Sequence, residues 1–332
     1  MKLIGIDVGY SAVKALDGKC SCLFPSVVGT PVPQATFAIR RDQKALAVSG
    51  NGHYTPVGET ALLQSRYVSG RRDPDWVLGQ EWLALFETAL SEFCTAPLTQ
   101  VKLVTGLPVA DWNQFEAQLA GKLKQTFAFR RVWREQQRVE VKDVIVVTQP
   151  YGALLDMALG KEGQILHNEW SESRVGIVDI GGNTMNLLAV QMLEEIRQLT
   201  ISDEFGLLHA LDEVRDELKR SFSRFTPETH EVSEWLAAGS FRHGGKSYDI
   251  WPYAEPYLMP LVDLIMDKFN EVWRESGRFD AVLLVGGGSA VLGRYLKSRM
   301  AGTFANVAIG ADPRWANVRG YYKLALREFA NA

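Results

Sequence analysis

The sequence predicts an α/β protein made of two similar halves, and three observations carry that reading. Strand-like and helix-like segments alternate along its 332 residues, the pattern of helices packed on sheets. That length suits roughly two domains. One short strand–turn–strand pattern also occurs twice, far apart in the chain, as a duplicated unit would require.

The repeated pattern organises the rest. In Val175-Gly-Ile-Val-Asp-Ile-Gly-Gly-Asn-Thr-Met-Asn-Leu-Leu188 an apolar run feeds Asp179, then Gly181 and Gly182, then Asn183 and Thr184, and returns at once to strand-like residues. Leu3-Ile-Gly-Ile-Asp-Val-Gly-Tyr-Ser-Ala-Val-Lys-Ala-Leu16 aligns with it without gaps. Asp7 falls on Asp179, Gly9 on Gly181, Ser11 on Asn183 and Leu16 on Leu188. In Rossmann and Walker loops the glycines open onto a helix, whereas here they sit at a hairpin tip. Glycines there let backbone N–H groups approach a phosphate with no Cβ in the way. A carboxylate closing the incoming strand can orient Mg²⁺ through its waters. A single Asp-x-Gly turn is common in β-proteins and carries no function by itself. Two such hairpins, one in each half, can grip a polyphosphate from both sides.

Composition narrows the function classes. The 46% apolar content is that of a globular protein, and a net charge of −3 gives no reason to expect direct nucleic-acid binding. The three cysteines, Cys20, Cys22 and Cys94, make no disulfide framework and suit a reducing cytoplasm. The five histidines are scattered without zinc spacing. No apolar run is long enough for a membrane span, and strand character from Lys2 leaves no room for a signal peptide. The expectation is a cytoplasmic protein that engages no membrane.

The remaining elements follow in order. Cys20–Phe24 reads as a strand ended by Pro25. Short strands broken by Pro and Gly follow (Ala35–Arg40, Lys44–Val48, Tyr54–Val57), a small β-rich insertion spanning about 29–75. Trp76–Phe93 carries Leu83, Phe86, Leu90 and Phe93 at helical spacing. Val101–Pro108 is a strand and turn, Trp112–Phe127 a helix, and the strand hairpin beyond holds Arg130, Arg131, Arg134 and Arg138, read as a solvated sheet edge. Asp143–Gln149 is a buried strand that delivers Gln149 at its end, with Pro150 opening a helix. In the second half a charged amphipathic helix spans about Leu207–Phe222, with Leu208, Leu211, Val214 and Leu218 as its apolar stripe. Trp235–Trp251 reads as an irregular subdomain with one strand near Ser247–Ile250, and Tyr257–Trp273 as a long apolar helix. Ala281–Leu292 is a strand, three glycines and a helix. Gly286, Gly287 and Gly288 form a candidate nucleoside platform. A closing helix carries Gly320 near its first turn.

Five of these segments in fixed order resemble the actin, Hsp70 and hexokinase ATPase superfamily. Its first phosphate motif is similar to Asp7-Val-Gly-Tyr-Ser-Ala-Val-Lys14 and its second to Asp179-Ile-Gly-Gly-Asn-Thr184. Its connecting segments are similar to Gln149-Pro-Tyr-Gly-Ala153 and Ala316-Asn-Val-Arg-Gly320, and its adenosine motif to Leu284-Val-Gly-Gly-Gly-Ser289. Compact length and Phe24-Pro-Ser26 look most like the ParM/StbA plasmid-segregation actins and the related simple archaeal actins.

The resemblance implies two RNase H-like domains, 1–149 with 318–332 and 150–317, each with a smaller subdomain (about 29–75 and 205–275). It implies ATP with Mg²⁺ between them, with GTP left open. Asp7 and Asp179 would hold the metal through water. Gly9, Tyr10, Ser11 and Lys14 would hold phosphate from one side, and Gly181, Gly182, Asn183 and Thr184 from the other. Gly286, Gly287, Gly288 and Ser289 would meet the nucleoside, together with residues of 207–222 that the sequence does not single out. Gln149 would orient the attacking water. Many ParM-type proteins carry Glu at that position. An amide positions water but takes no proton, so slow hydrolysis is expected. The partners implied are further copies of the chain in a filament and a DNA-binding adaptor. A small-molecule kinase is the alternative. It needs a carboxylate base, which Gln149 cannot be, and Asp111 is the nearby candidate. A chaperone-type ATPase is disfavoured, since no substrate-binding segment follows.

Overall fold

The computed structural model describes residues 1–32, 47–49, 53–65, 68–69, 74–94, 96–131, 135–166, 168–273, 279–304 and 306–330. The expected strand Ala35–Arg40, the start of Lys44–Val48, Arg134 and much of the 29–75 insertion lie outside the described residues. The chain forms two compact units, Met1–His167 with Asn317–Ala332, and Asn168–Ala316.

The first unit is built on an eight-stranded sheet. Strands β1 (Lys2–Val8), β2 (Ala12–Leu16) and β3 (Ser21–Pro25) form an antiparallel meander. On its other side β1 pairs in parallel with β4 (Leu98–Leu107) after helix α1 (Gln80–Phe93). Helix α2 (Val109–Leu123) and strand β5 (Thr126–Arg131) lead to β6 (Gln136–Thr148), which is parallel to β4 and antiparallel to β5. A helix needs one covered stripe, and α1 turns Trp82, Leu85, Phe86, Leu90 and Phe93 inward.

Two expectations change here. The arginine strand is not a sheet edge, because β5 pairs with β6 on one side and with Ala47–Ser49 on the other. Its period-2 burial turns Phe127, Phe129 and Arg131 inward, and Arg131 meets Glu92 of α1 at 2.8 Å. The helix expected at Trp112–Phe127 begins three residues sooner, after Pro108, and gives way to β5 because Phe127 and Phe129 follow a strand's alternation.

The unit boundary also differs from 149/150. Helix α3 (Gln149–Ala158) stays with the first unit, held against the closing helix α8 (Ala316–Phe329). A Cβ built on Gly320 of α8 would come within 1.7 Å of the Gly152 carbonyl oxygen of α3. Asp156 of α3 adds ion pairs to Arg319 at 2.6 Å and Lys323 at 2.9 Å.

The second unit repeats the arrangement. Strands β7 (Arg174–Ile180) and β8 (Met185–Gln191) form the antiparallel hairpin, and β9 (Ile201–Asp203) pairs with β8. Helices α4 (Leu207–Ser221), α5 (Thr229–Ala238) and α6 (Trp251–Trp273) follow. Then β10 (Ala281–Val285) lies parallel to β7, with α7 (Gly286–Met300) and β11 (Val307–Ile309) completing the unit. Its core centres on Trp273, Phe269, Ile265 and Val262 of α6, against Val178, Leu187 and Leu284 of the sheet. Leu208 of α4 is only partly buried, and Leu207 and Ala210 join the stripe instead.

The region expected to be irregular is ordered. It holds α5 and a hairpin, Ser240–His243 with Lys246–Asp249, turned by Gly244 and Gly245 at φ of 56° and 80°. Helix α6 starts at Trp251, six residues before the expected Tyr257, and continues through Pro256 and Pro260. Both prolines are exposed, and each removes one backbone hydrogen bond from the helix.

Candidate functional site

In the first unit the hairpin β1–β2 sets Asp7 opposite Lys14. Lys14 Nζ donates to Asp7 Oδ2 at 3.0 Å. The Gln149 amide, from the first residue of α3, donates to Asp7 Oδ1 at 3.2 Å. A lysine, a carboxylate and an amide from three elements thus meet at one point, with Asp7 at 3% and Gln149 at 8% exposure. An ammonium contact of this kind offsets the cost of burying a carboxylate. Gln149 opens the helix rather than ending the strand. Its own carbonyl accepts from Tyr321 at 3.4 Å.

The hairpin tip is pinned from three sides. The Ser26 hydroxyl donates to the Gly9 carbonyl at 2.5 Å. Tyr10 packs its ring on Trp76, centroids 5.7 Å apart, and its hydroxyl donates to Asp111 Oδ2 at 3.1 Å. Ser11 is exposed. Ser26 was visible in the sequence only as part of Phe24-Pro-Ser26, and a contact across 17 residues has no local signature. Tyr10, Trp76, Trp82, Gly106, Pro108, Asp111 and Gln149 line a small recess of this unit.

In the second unit β7–β8 carries the same register, with Asp179 opposite Asn186. The Gly181 N–H closes the turn on the Thr184 carbonyl at 2.8 Å. Helix α4 starts directly on this turn: the N–H groups of Leu207 and Leu208 donate to the carbonyls of Gly181 and Gly182. Gly206 allows the approach, since a Cβ there would lie 2.3 Å from the Gly182 oxygen. Asp179 is 4% and Thr184 5% exposed, while Gly181, Gly182 and Asn183 are partly open.

The triple glycine divides its work. Gly286, at φ 85°, has its Cβ direction 2.3 Å from Asp179 Oδ1, and that of Gly288 lies 2.2 Å from Ile180 Cγ2. Those two glycines fit α7 to the hairpin strand. Only Gly287 opens onto space, with nothing within 4 Å of its Cβ direction. Ser289, expected at the nucleoside, is 1% exposed and donates its hydroxyl to the Val285 carbonyl at 2.5 Å. It serves the first turn of α7.

Each unit by itself carries groups suited to phosphate and to a hydrated cation. The first has Lys14, the glycine-tipped turn after β1 and the carboxylate of Asp7; the second has its glycine-tipped turn, the start of α4 and the carboxylate of Asp179. Among the described residues no cluster of three or more His, Cys, Asp or Glu could ligate a metal directly. The phosphates and water would have to complete the shell. Among the described residues, too, no helix is long and apolar enough to cross a membrane.

Two family models span most of the chain. Residues 5–152 match the actin-like proteins' N-terminal domain, and residues 177–298 match the C-terminal domain of the archaeal, MreB-like actin homologues. It is an actin-like protein. Solved actin-like structures share the fold throughout. The archaeal actin homologue Ta0583 in complex with ADP is 18% identical, with a TM-score of 0.80 over 99% of this chain and 100% of that one. Alp7A is 16% identical, with a TM-score of 0.81 over 99% and 97%. A ParM in a 15-stranded filament from Clostridium botulinum is 20% identical, with a TM-score of 0.75 over 98% of each chain. None of the curated proteins matches the sequence. The two matched regions each begin within a β-hairpin strand bearing the loop aspartate, so the actin-like halves and the duplicated hairpins coincide.

Proposed function

We propose that this chain is a filament-forming ATPase of the ParM type that moves or segregates DNA through an adaptor protein in the cytoplasm. The observation that carries the reading is the meeting of Lys14, Asp7 and Gln149 at the tip of the first actin-like half. Phosphoryl transfer to water asks a protein mainly for positioning and for neutralised charge, and these three groups supply both. Lys14 and the backbone of Gly9, Tyr10 and Ser11 would hold phosphate, as would Gly181 to Thr184. Asp7 and Asp179 would hold the waters of Mg²⁺, and Gly287 would lie beside the nucleoside. Bound Mg²⁺ supplies charge to the leaving phosphate. Gln149 aims the attacking water, and as an amide it leaves that water's proton to another acceptor.

Assembly is the second half of the reading. Two of the structural relatives are described as an ADP complex and as a filament, which supports nucleotide-dependent self-association here. Head-to-tail contacts that do not close on themselves generate a filament, and a nucleotide that favours the assembling conformation by a few kcal/mol moves the assembly threshold strongly.

The test is direct. Purified protein at micromolar concentration should scatter light and pellet on addition of Mg·ATP, then disassemble as phosphate is released. Hydrolysis by a protein that stays monomeric across salt, crowding and concentration would overturn the filament reading. A GTP arm of the same assay settles base preference.

A further inference from the structure

Gln149 leaves one chemical requirement open. When water attacks phosphorus it must lose a proton, and a carboxamide cannot accept one at neutral pH. The recess of the first unit bears on this. It is lined by Gln149, Tyr10, Gly106 and Asp111, with Trp76, Val77, Trp82, Leu107 and Pro108 making the remaining wall. The space open to a water's centre is about 10 Å³, which is room for about one water molecule. Two of its polar groups already face one another, the Tyr10 hydroxyl donating to Asp111 Oδ2 at 3.1 Å. Gln149, Tyr10 and Asp111 thus line one recess with room for about one water, and Gln149 also touches Asp7, which Lys14 pairs.

We propose that Asp111 is the proton acceptor for hydrolysis, reached from Gln149 through one water in this recess, and that Tyr10 is a positioning residue that orients the Asp111 carboxylate. The inference rests on the ATPase reading above. In the step, the oxygen of the attacking water forms a bond to the γ-phosphorus, and the bond from that phosphorus to the β,γ-bridging oxygen breaks. Its electron pair stays on ADP. The attacking water's proton passes to the recess water, whose own proton passes to an Asp111 oxygen and from there to bulk solvent. Charge and atoms balance without a further reactant. Asp111 stands in the first turn of α2 and lines this recess. Because the transition state of phosphoryl transfer is loose and the proton leaves late, a weak base reached through water is sufficient.

The experiment compares wild type, Asp111→Asn, Tyr10→Phe, Gln149→Glu and the double variant Asp111→Asn/Gln149→Glu. It measures phosphate release together with Mg·ATP affinity by calorimetry and the thermal midpoint of each protein. Asp111→Asn should bind Mg·ATP within about twofold of wild type yet release phosphate roughly tenfold more slowly, below the ~10²–10⁴-fold of a base in direct contact because this one acts through a water. Tyr10→Phe keeps the ring on Trp76 and should show a smaller loss in rate. Gln149→Glu places a carboxylate at the attacking water itself, so in that background removing the Asp111 charge should no longer slow release. A structural role for Asp111 would produce the same loss in both backgrounds, and that result, or an undiminished rate in Asp111→Asn, overturns the proposal. Should Asp111→Asn not fold, Asp111→Asn/Gln149→Glu will not fold either, and Tyr10→Phe decides: an unchanged rate with unchanged affinity overturns the assignment. Absence of hydrolysis in the wild type overturns the ATPase reading itself, and this inference with it.

Discussion

Gly320 and Gly152 hold two helices of the first unit at backbone contact: a side-chain carbon on Gly320 would stand 1.7 Å from the Gly152 carbonyl oxygen. Neither glycine has a positive φ, so proximity, not backbone conformation, excludes a side chain. Gly320→Ala must push α8 from α3 and strain the Asp156 ion pairs with Arg319 and Lys323. We expect a loss of about 1–3 kcal/mol or more, as for other overpacked cores. Gly121→Ala, in α2 with nothing within 4 Å of its Cβ direction, should instead stabilise by about 0.4–1 kcal/mol. Chemical denaturation of the two variants checks both signs.

Removing the amide proposed to position water should separate binding from turnover. Gln149→Ala deletes the contact to Asp7 Oδ1 but leaves Lys14 on Oδ2. Mg·ATP affinity should hold within a few-fold while phosphate release slows on the order of 10²-fold. Turnover at the parent rate would make Gln149 a structural helix start.

Asp179→Ala should lose most of the magnesium dependence of nucleotide affinity. The carboxylate is 4% exposed at the end of β7, where it can order waters of a cation. Titrations with and without Mg²⁺ read this out, and identical metal dependence in variant and parent would remove Asp179 from the site.

Glu87 of α1 makes a prediction about pH. Burial raises its carboxyl from 4.5 to about 7, so the fold favours the neutral acid. Stability attributable to this residue is highest below pH 4.5, declines as pH rises to about 7, and is flat above. Glu87→Gln should therefore stabilise the protein at pH 8 by on the order of 2–3 kcal/mol, with the advantage fading by pH 4.5. Equal gains at both pH values would mean that charge is not the cause.

The thiols should react unequally. Cys20 is exposed and Cys22 partly so, whereas Cys94 is fully buried with its thiol pushed up to about 12 by burial. A thiolate-directed reagent should label Cys20 and Cys22 in the native protein and reach Cys94 only on unfolding. Mass spectrometry of native and denatured samples distinguishes the sites.

Much of the architecture could be read from local pattern. The hairpins declared themselves because Asp-x-Gly between apolar runs is compact in sequence, and both observed registers, Asp7 with Lys14 and Asp179 with Asn186, span the same interval. Helix α4 was legible from its strong amphipathic stripe. Helix α5 was not: only Val232 and Leu236 are buried in it, too few to set a period. Its capping box also uses Glu228 at the N-cap, where Ser, Thr, Asp or Asn would have signalled a start. Pro252, Pro256 and Pro260 concealed the beginning of α6, since proline inside a helix is ordinarily a stop. At the site, residue types were readable but facing was not. The roles of Ser289, Gly286 and Gly288 depend on how α7 lies on β7, a tertiary fact. The Ser26 and Asp111 contacts join segments far apart in sequence.

The duplicated hairpins share a backbone without being interchangeable. At the register that decides the electrical character of each loop, the first copy has lysine and the second has asparagine. A chain rebuilt with the first hairpin in both places would fit without a gap, yet it would place a second ammonium where the native chain carries a neutral amide. The repeat thus keeps one backbone register while giving its two copies different charge.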